Sequence, residues 1–356
     1  MIKDILKFQI LRTNVVVPYL IFFVTSRCNF RCPGCFNLMN LDDGKNDLTL
    51  DEIEKLAPSL GRLLWLALSG GEPFLRADLP ELVALLYRHT RFKRLGIPTN
   101  GFATDRILGA LEKMLPQIPC DFGVTVSLDG MGADNDALKG VAGSFEAAAK
   151  TLDGLKALQK RHPHLSVKVN TVVSRKNMNN IRAFGAYVLE RFSPDHHAFE
   201  LMRSQPADSP AQPPSVEEAR VAYEDIRSVW AMYGQYERNQ NALTNRLAKG
   251  LYKYLHDVHL ESMATEKQAI PCMAGQVTAV IYQDGQTALC EMLPAVGNLR
   301  DVNMDFMAIW NSAAADKQRK MIRAGGCHCT HTCFQFPSVL FNPAQYGHVL
   351  AKAMRR

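Results

Sequence analysis

Cys28, Cys32 and Cys35 follow directly on the apolar run Tyr19-Leu-Ile-Phe-Phe-Val24. A short apolar run of this kind predicts a buried strand, and places the cysteines on the loop that leaves it. Three thiolates at the spacing Cys28-x3-Cys32-x2-Cys35 can hold three irons of a [4Fe-4S] cluster. The fourth iron is then open to a small molecule. A zinc knuckle is the competing reading, although zinc usually takes four ligands.

About 40 residues downstream, Trp65-Leu-Ala-Leu-Ser69-Gly70-Gly71-Glu72-Pro73 reads as a strand ending in a turn. Two glycines allow a ligand to approach the backbone closely, and Glu72 can accept from an ammonium group. Alone, GGEP is a weak signal, because Gly-Gly and Glu-Pro are ordinary turn dipeptides. One strand after the cysteine triad, it resembles the second motif of the radical S-adenosylmethionine (SAM) enzymes. The resemblance implies a SAM-binding [4Fe-4S] cluster on Cys28, Cys32 and Cys35. It also implies that Gly70, Gly71, Glu72 and Pro73 hold the SAM amino group.

Composition agrees. The chain has 356 residues, 47% of them apolar, ample for one large or two modest domains. The net charge of +6 is mild and spread along the chain. No basic block interleaved with aromatics marks a nucleic-acid partner. Nine cysteines without a signal peptide point to a reducing, cytoplasmic setting and to metal rather than disulfides. Residues 1–16 form a short basic amphipathic segment. It packs on the barrel bottom or a partner chain in preference to lying on a membrane surface. The run from Val15 to Val24 is too short to span a bilayer and contains Pro18.

Strand-like runs alternate with helical patterns through residue 205. Strands are predicted near 18–26, 63–69, Arg94–Thr99, Phe122–Leu128, Leu165–Val173 and 197–202. Helices are predicted at Leu50–Leu60 behind an N-cap at Thr49, and near 78–90, 104–115, 144–161 and 179–190. Six βα units imply a parallel sheet with right-handed crossovers. The fold class expected is α/β, a partial (β/α)6 TIM-like barrel spanning 17–205 with its active site at the strand C-termini. The resemblance places SAM contacts at those ends, on Thr99, Asn100, Ser127, Asp129, Asn170 and Arg203. Two positions depart from the family pattern. Gly34 stands where an aromatic often precedes the third cysteine, so Phe36 is expected to cover the adenine instead. Arg203-Ser204 stands where relatives often read Arg-Gly.

Residues 206–268 read as a proline-rich linker followed by a helical connector from Val216 to about His259. Residues 269–337 then carry Cys272, a hairpin about Asp284-Gly285, Cys290, and the cluster Cys327-His-Cys329-Thr-His-Thr-Cys333. Residues 338–356 form a tail. The 269–337 segment resembles the SPASM/twitch extension of radical SAM enzymes, a small β-hairpin/helix unit. Five cysteines suit one auxiliary [4Fe-4S] cluster, expected on Cys272, Cys290, Cys329 and Cys333, with Cys327 as the spare or as a substitute for Cys329. Zinc remains the alternative metal, because soft thiolates suit both. Cys120 reads as an ordinary buried thiol, and His328 and His331 as structural neighbours of the cluster ligands.

The resemblance implies reductive cleavage of SAM and hydrogen abstraction by a 5′-deoxyadenosyl radical. The auxiliary cluster is expected to exchange an electron with the substrate radical, giving oxidation or bond formation. A small reductant such as flavodoxin or ferredoxin is implied as partner. Only about 17 residues precede the first strand, which favours a small-molecule substrate, sugar or lipid-linked, over a peptide. Two alternatives stand beside it. One is a peptide maturase served by a separate leader-binding partner, and the other is a non-catalytic iron-sulfur electron carrier.

Overall fold

The computed structural model describes residues 17–203, 211–234 and 241–354. The expected amphipathic segment and residues 204–210 of the proline-rich stretch lie outside the described residues.

Strands β1 (Tyr19–Phe23), β2 (Trp65–Ser69), β3 (Arg94–Thr99), β4 (Asp121–Ser127), β5 (Leu165–Val173) and β6 (His196–Leu201) pair in chain order, all parallel. Helices α1 (Leu50–Leu56), α2 (Leu79–Thr90), α3 (Thr104–Met114), α4 (Ala133–Lys139), α5 (Ser144–Arg161) and α6 (Ile181–Phe192) lie between them. Helix α1 starts where the sequence places it. The Thr49 side chain accepts from Glu52 N while Glu52 accepts from Thr49 N, a reciprocal capping box.

Burial alternates along the strands, and this alternation makes the cleft. In β5, Leu165, Val167, Val169, Thr171 and Val173 are buried, while Ser166, Lys168, Asn170 and Val172 are half-buried. β2 and β3 alternate likewise. The fully buried face packs under the helices. The other face, with Ala67, Ser69, Gly96, Pro98, Ser127 and Asn170, lines a concave surface that small residues leave open.

The C-terminal hairpin is not a separate appendage. Strand β7 (Thr278–Ile281) pairs in parallel with β1, and β8 (Gln286–Ala288) and β9 (Gly297–Asn298) continue antiparallel, so the sheet order is β6-β5-β4-β3-β2-β1-β7-β8-β9. The predicted Asp284-Gly285 turn joins β7 to β8, with Gly285 at φ +87. Leu48 N donates to Gln283 O at 2.6 Å, and Arg300 Nε to Glu52 Oε1 at 2.8 Å, fastening this extension to the barrel.

The connector expected as one long helical stretch contains two helices, α7 (Val216–Met232) and α8 (Ala242–Thr265). They bring a buried aromatic and histidine cluster against β6: Tyr223 stacks on His256 at 3.9 Å, and His196 on Trp230 at 6.2 Å. The chain closes with α9 (Phe306–Trp310), α10 (Ala313–Arg323), α11 (Thr332–Leu340) and α12 (Tyr346–Met354). No described helix is long and apolar enough to cross a membrane.

Candidate active site

The loop after β1 is built before it can bind anything. Asp47 accepts from Thr25 Oγ1 at 2.6 Å, from Ser26 N at 2.9 Å and from Ser26 Oγ at 2.8 Å. One carboxylate thus pins the two residues where the strand turns into the cysteine loop. Cys35 N donates to Cys32 O at 3.0 Å, folding the second half of the triad into a turn. All three cysteines are half-buried. Burial pushes each thiol up, Cys32 to about 11, and Cys28 and Cys35 act on Cys32 in the same direction. Thiols that raise one another in this way sit side by side, and ionise together only when a metal supplies the charge. The donor set fits a cluster that takes three protein ligands.

The GGEP turn is clamped to this loop through backbone. Gly71 N donates to Thr25 O at 2.8 Å and Glu72 N to Arg27 O at 2.7 Å. The approach requires glycine: a Cβ on Gly71 would stand 2.1 Å from Arg27 O and 3.0 Å from Cys28 Cβ. Gly70, at φ +136, would place one 2.4 Å from Thr25 O. Pro73 is buried and opens a 3-10 turn.

Several predicted contacts take other roles. The Glu72 carboxylate is turned inward, 2% exposed, and accepts from Asn100 N at 2.7 Å and Phe74 N at 3.2 Å. Burial raises it to about 7. Through these bonds it ties the β2 turn to the β3 end. Thr99 lies on the helix side of β3, buried, with its hydroxyl accepting from Gly101 N at 3.0 Å. Asp129 is buried and held by Val172 N at 2.8 Å and Lys139 Nζ at 2.6 Å. Strand parity turns Thr99 to the buried face of β3, and these bonds hold the Asp129 carboxylate inward beyond the end of β4.

The other positions converge. Asn100 Nδ2 donates to Asn29 Oδ1 at 2.8 Å, next to Cys28. Ser127 and Asn170 are partners across β4 and β5 on the open face. The Arg203 guanidinium carbon lies 5.5 Å from the centre of the exposed Phe36 ring, joining the end of β6 to the cysteine loop. A Cβ on Gly34 would meet Met202 Cε at 2.5 Å, so a side chain there would have to displace the end of that methionine.

Of the five C-terminal cysteines, Cys272, Cys290, Cys327 and Cys329 stand close enough to act on one another. Cys329 and Cys327 raise Cys272, which burial itself pushes to about 11, and Cys329 and Cys272 add to the larger effect of burial on Cys290. Gln268 bridges the set, its Nε2 3.6 Å from Cys327 Sγ while its Oε1 accepts from Cys272 N at 3.4 Å. Burial raises Cys333 to about 12, and its sulfur meets the Tyr19 hydroxyl of β1. Cys327 therefore stands beside Cys272 and Cys329, within the set from which the four ligands are expected. Glu291, one residue after Cys290, pairs with His331 Nε2 at 2.8 Å, giving that histidine a structural bond. His328 is exposed. Cys120 is buried at the other end of the strands, before β4.

No local pattern announced Asp47, Asn29, Lys139, Tyr19 or Gln268. Asp47, Lys139 and Tyr19 reach the site across chain separations that sequence periodicity does not register, while Asn29 and Gln268 lie close to cysteines in the chain but belong to no motif.

Two family models match the chain. One, described as the radical SAM superfamily, covers residues 22–184, and the other, described as an iron-sulfur cluster-binding domain (SPASM), covers residues 272–334. The Fe-coproporphyrin III synthase of Methanosarcina barkeri (strain Fusaro / DSM 804) is 33% identical over 168 residues, 47% of this chain and 39% of that protein. The matched region thus spans about two fifths of that relative. The AdoMet-dependent heme synthase of the same organism is 26% identical over 330 residues, 87% of this chain and 88% of that protein. Among solved structures, Streptococcus suis SuiB bound to S-adenosylmethionine matches with a TM-score of 0.62 at 15% identity, over 90% of this chain and 71% of that one. At such identity the likeness shows the fold alone. A bare electron carrier has no use for the SAM-binding domain, and that reading is set aside. Both domains stand in order on one chain, which carries a radical SAM superfamily domain followed by a C-terminal SPASM iron-sulfur domain.

Proposed function

We propose that the enzyme abstracts a hydrogen atom from a side chain of an anionic tetrapyrrole of the heme-precursor kind and leaves that side chain oxidised. The observation that carries this reading is the alignment with the AdoMet-dependent heme synthase along nearly the full length of both chains. It favours a tetrapyrrole over the sugar, lipid-linked or peptide substrates that the sequence left open.

The mouth of the barrel supports the same class. Phe36, Met39 and Phe102 are exposed apolar side chains on the segments that follow β1 and β3, at the C-terminal ends of the strands. Such a rim suits a large flat ring. Arg203 stands at its edge with a fixed positive charge, suited to a substrate carboxylate.

When loaded, the N-terminal cluster and SAM supply a 5′-deoxyadenosyl radical, and the C-terminal cluster supplies an acceptor for one electron. This chain's residues do the placing. The GGEP turn and the Cys28 loop fix each other through main-chain bonds, so SAM meets a preset surface. Ser127, Asn170 and Asn100 offer hydrogen bonds across the cleft. Arg203 and Phe36 hold the substrate edge between the two cysteine sets. A flavodoxin- or ferredoxin-like protein is the proposed reductant.

The test is anaerobic incubation of reconstituted protein with SAM, dithionite and iron-coproporphyrin III. The reading expects 5′-deoxyadenosine to form together with a loss of mass from the porphyrin. If the porphyrin neither binds, by its absorbance, nor alters 5′-deoxyadenosine formation, the substrate class is wrong.

A further inference from the structure

Asp129 ends a buried network rather than facing SAM. Its N–H donates to Asn135 Oδ1 at 2.9 Å, its carbonyl accepts from Asn177 Nδ2 at 2.9 Å, and its Oδ1 accepts from Val172 N at 2.8 Å. Asn135 is itself fixed, donating to Ser144 Oγ at 2.9 Å. The remaining oxygen, Oδ2, is aimed at Lys139 Nζ, 2.6 Å away, and the lysine side chain is 9% exposed.

Lys139 is the last residue of α4, and Gly140 follows at φ +70. A Cβ on Gly140 would stand 3.5 Å from Cδ of Pro33, the residue next to Cys32. The helix end therefore abuts the cysteine loop and delivers an ammonium beside it. Burying an ammonium is costly, and the Asp129 carboxylate offsets that cost. The arrangement sets a buried ion pair against the cysteine loop, its ammonium carried by the last residue of the helix end that touches Pro33.

We propose that Lys139, held by Asp129, is a positioning cation for the N-terminal cluster, whose buried charge favours the reduced form and so sets how readily that cluster takes up its electron. The proposal rests on Cys28, Cys32 and Cys35 holding the cluster and is independent of the substrate. Reduction adds one negative charge to the site, and a fixed buried cation beside the cysteine loop lowers the free energy of that state.

The test uses the full chain, anaerobically reconstituted, as wild type, Lys139→Gln and Lys139→Arg. The midpoint potential is measured without SAM by EPR-monitored titration with dithionite. The N-terminal signal is identified as the one that changes when SAM is added afterwards. Lys139→Gln keeps a hydrogen bond to Asp129 and removes the charge. At fixed potential its reduced-to-oxidised ratio should fall at least tenfold, a shift of about 59 mV for one electron. Lys139→Arg should stay near wild type. Equal midpoints in wild type and Lys139→Gln overturn the proposal. So does a loss of SAM affinity with an unchanged midpoint, which would make Lys139 a contact for SAM itself. If Lys139→Gln fails to retain the cluster, the pair Asp129→Asn/Lys139→Gln leaves no buried charge uncompensated; its midpoint should still fall below wild type, by less than for the single variant because the opposing carboxylate is gone too, and an equal or higher midpoint overturns the proposal. A titrated signal that survives Cys28→Ala refutes the ligand assignment instead.

Discussion

Gly71→Ala is a one-carbon test of how the SAM site is assembled. The added Cβ would stand 2.1 Å from Arg27 O, far inside any contact a real Cβ makes, and 3.0 Å from Cys28 Cβ. Backbone cannot rotate out of the way as a side chain can. The GGEP turn and the cysteine loop must separate, stretching the Glu72 N to Arg27 O bond of 2.7 Å and the Gly71 N to Thr25 O bond of 2.8 Å. Overpacking of this kind costs about 1–3 kcal/mol. SAM must touch both loops, so most of that cost falls on its binding. At 1.4 kcal/mol per tenfold, affinity should drop about 5- to 150-fold. The assay is equilibrium binding of SAM to anaerobically reconstituted protein, with iron content measured in parallel. Gly109→Ala is the control: it lies in α3 with nothing within 4 Å of its would-be Cβ, and should bind SAM as wild type does. If Gly71→Ala binds SAM as tightly as wild type at equal iron content, the two loops do not form the site together.

Other expectations are as direct. Cys290→Ala should spare some SAM cleavage while product formation is lost, and full turnover would remove the C-terminal cluster from the chemistry. Asp47→Ala deprives Thr25 and Ser26 of their common acceptor and should lower iron retained at the N-terminal site, with the C-terminal site unchanged. The Arg300 hydrogen bond holds Glu52 down to about 2, below the ordinary carboxylate value of about 4.3. As pH falls the unfolded chain takes that proton first, so this link stabilises fully above about pH 4.3 and is lost as pH falls toward about 2. Arg300→Gln should flatten the loss on the acid side, and near neutrality should lower the melting temperature by no more than about 2–4 °C, as for a solvent-screened pair.

The sequence carried the local parts of this structure well. Arg94–Thr99 and Leu165–Val173 are strands at their predicted bounds, because β-branched alternation between Gly, Pro and Asn signals is a local code. The Cys28 triad and GGEP were legible because close backbone approach restricts residue choice at successive positions. What escaped was long-range. The parallel pairing of β7 with β1 joins Ile21 to Val280, and nothing in either run specifies the other. Glu72, Thr99 and Asp129 carry the right chemistry at the right strand ends, yet their side chains point inward. The direction of Thr99 is set by strand parity, and that of Glu72 and Asp129 by partners such as Asn100 N and Lys139, the latter on a seven-residue helix that no periodicity revealed. Cys327 looked redundant beside Cys329, and only the fold brings Gln268 between it and Cys272.

The central claim is that one chain holds two iron-sulfur sites with separate jobs. Iron and sulfide analysis with Mössbauer spectroscopy tests it most directly, on anaerobically reconstituted wild type and on the triple variant Cys28→Ala/Cys32→Ala/Cys35→Ala. Two [4Fe-4S] clusters predict about eight irons in the wild type and about four in the variant. About four irons falling to none, with zinc bound at the C-terminal cysteines, would contradict it and would make that site structural.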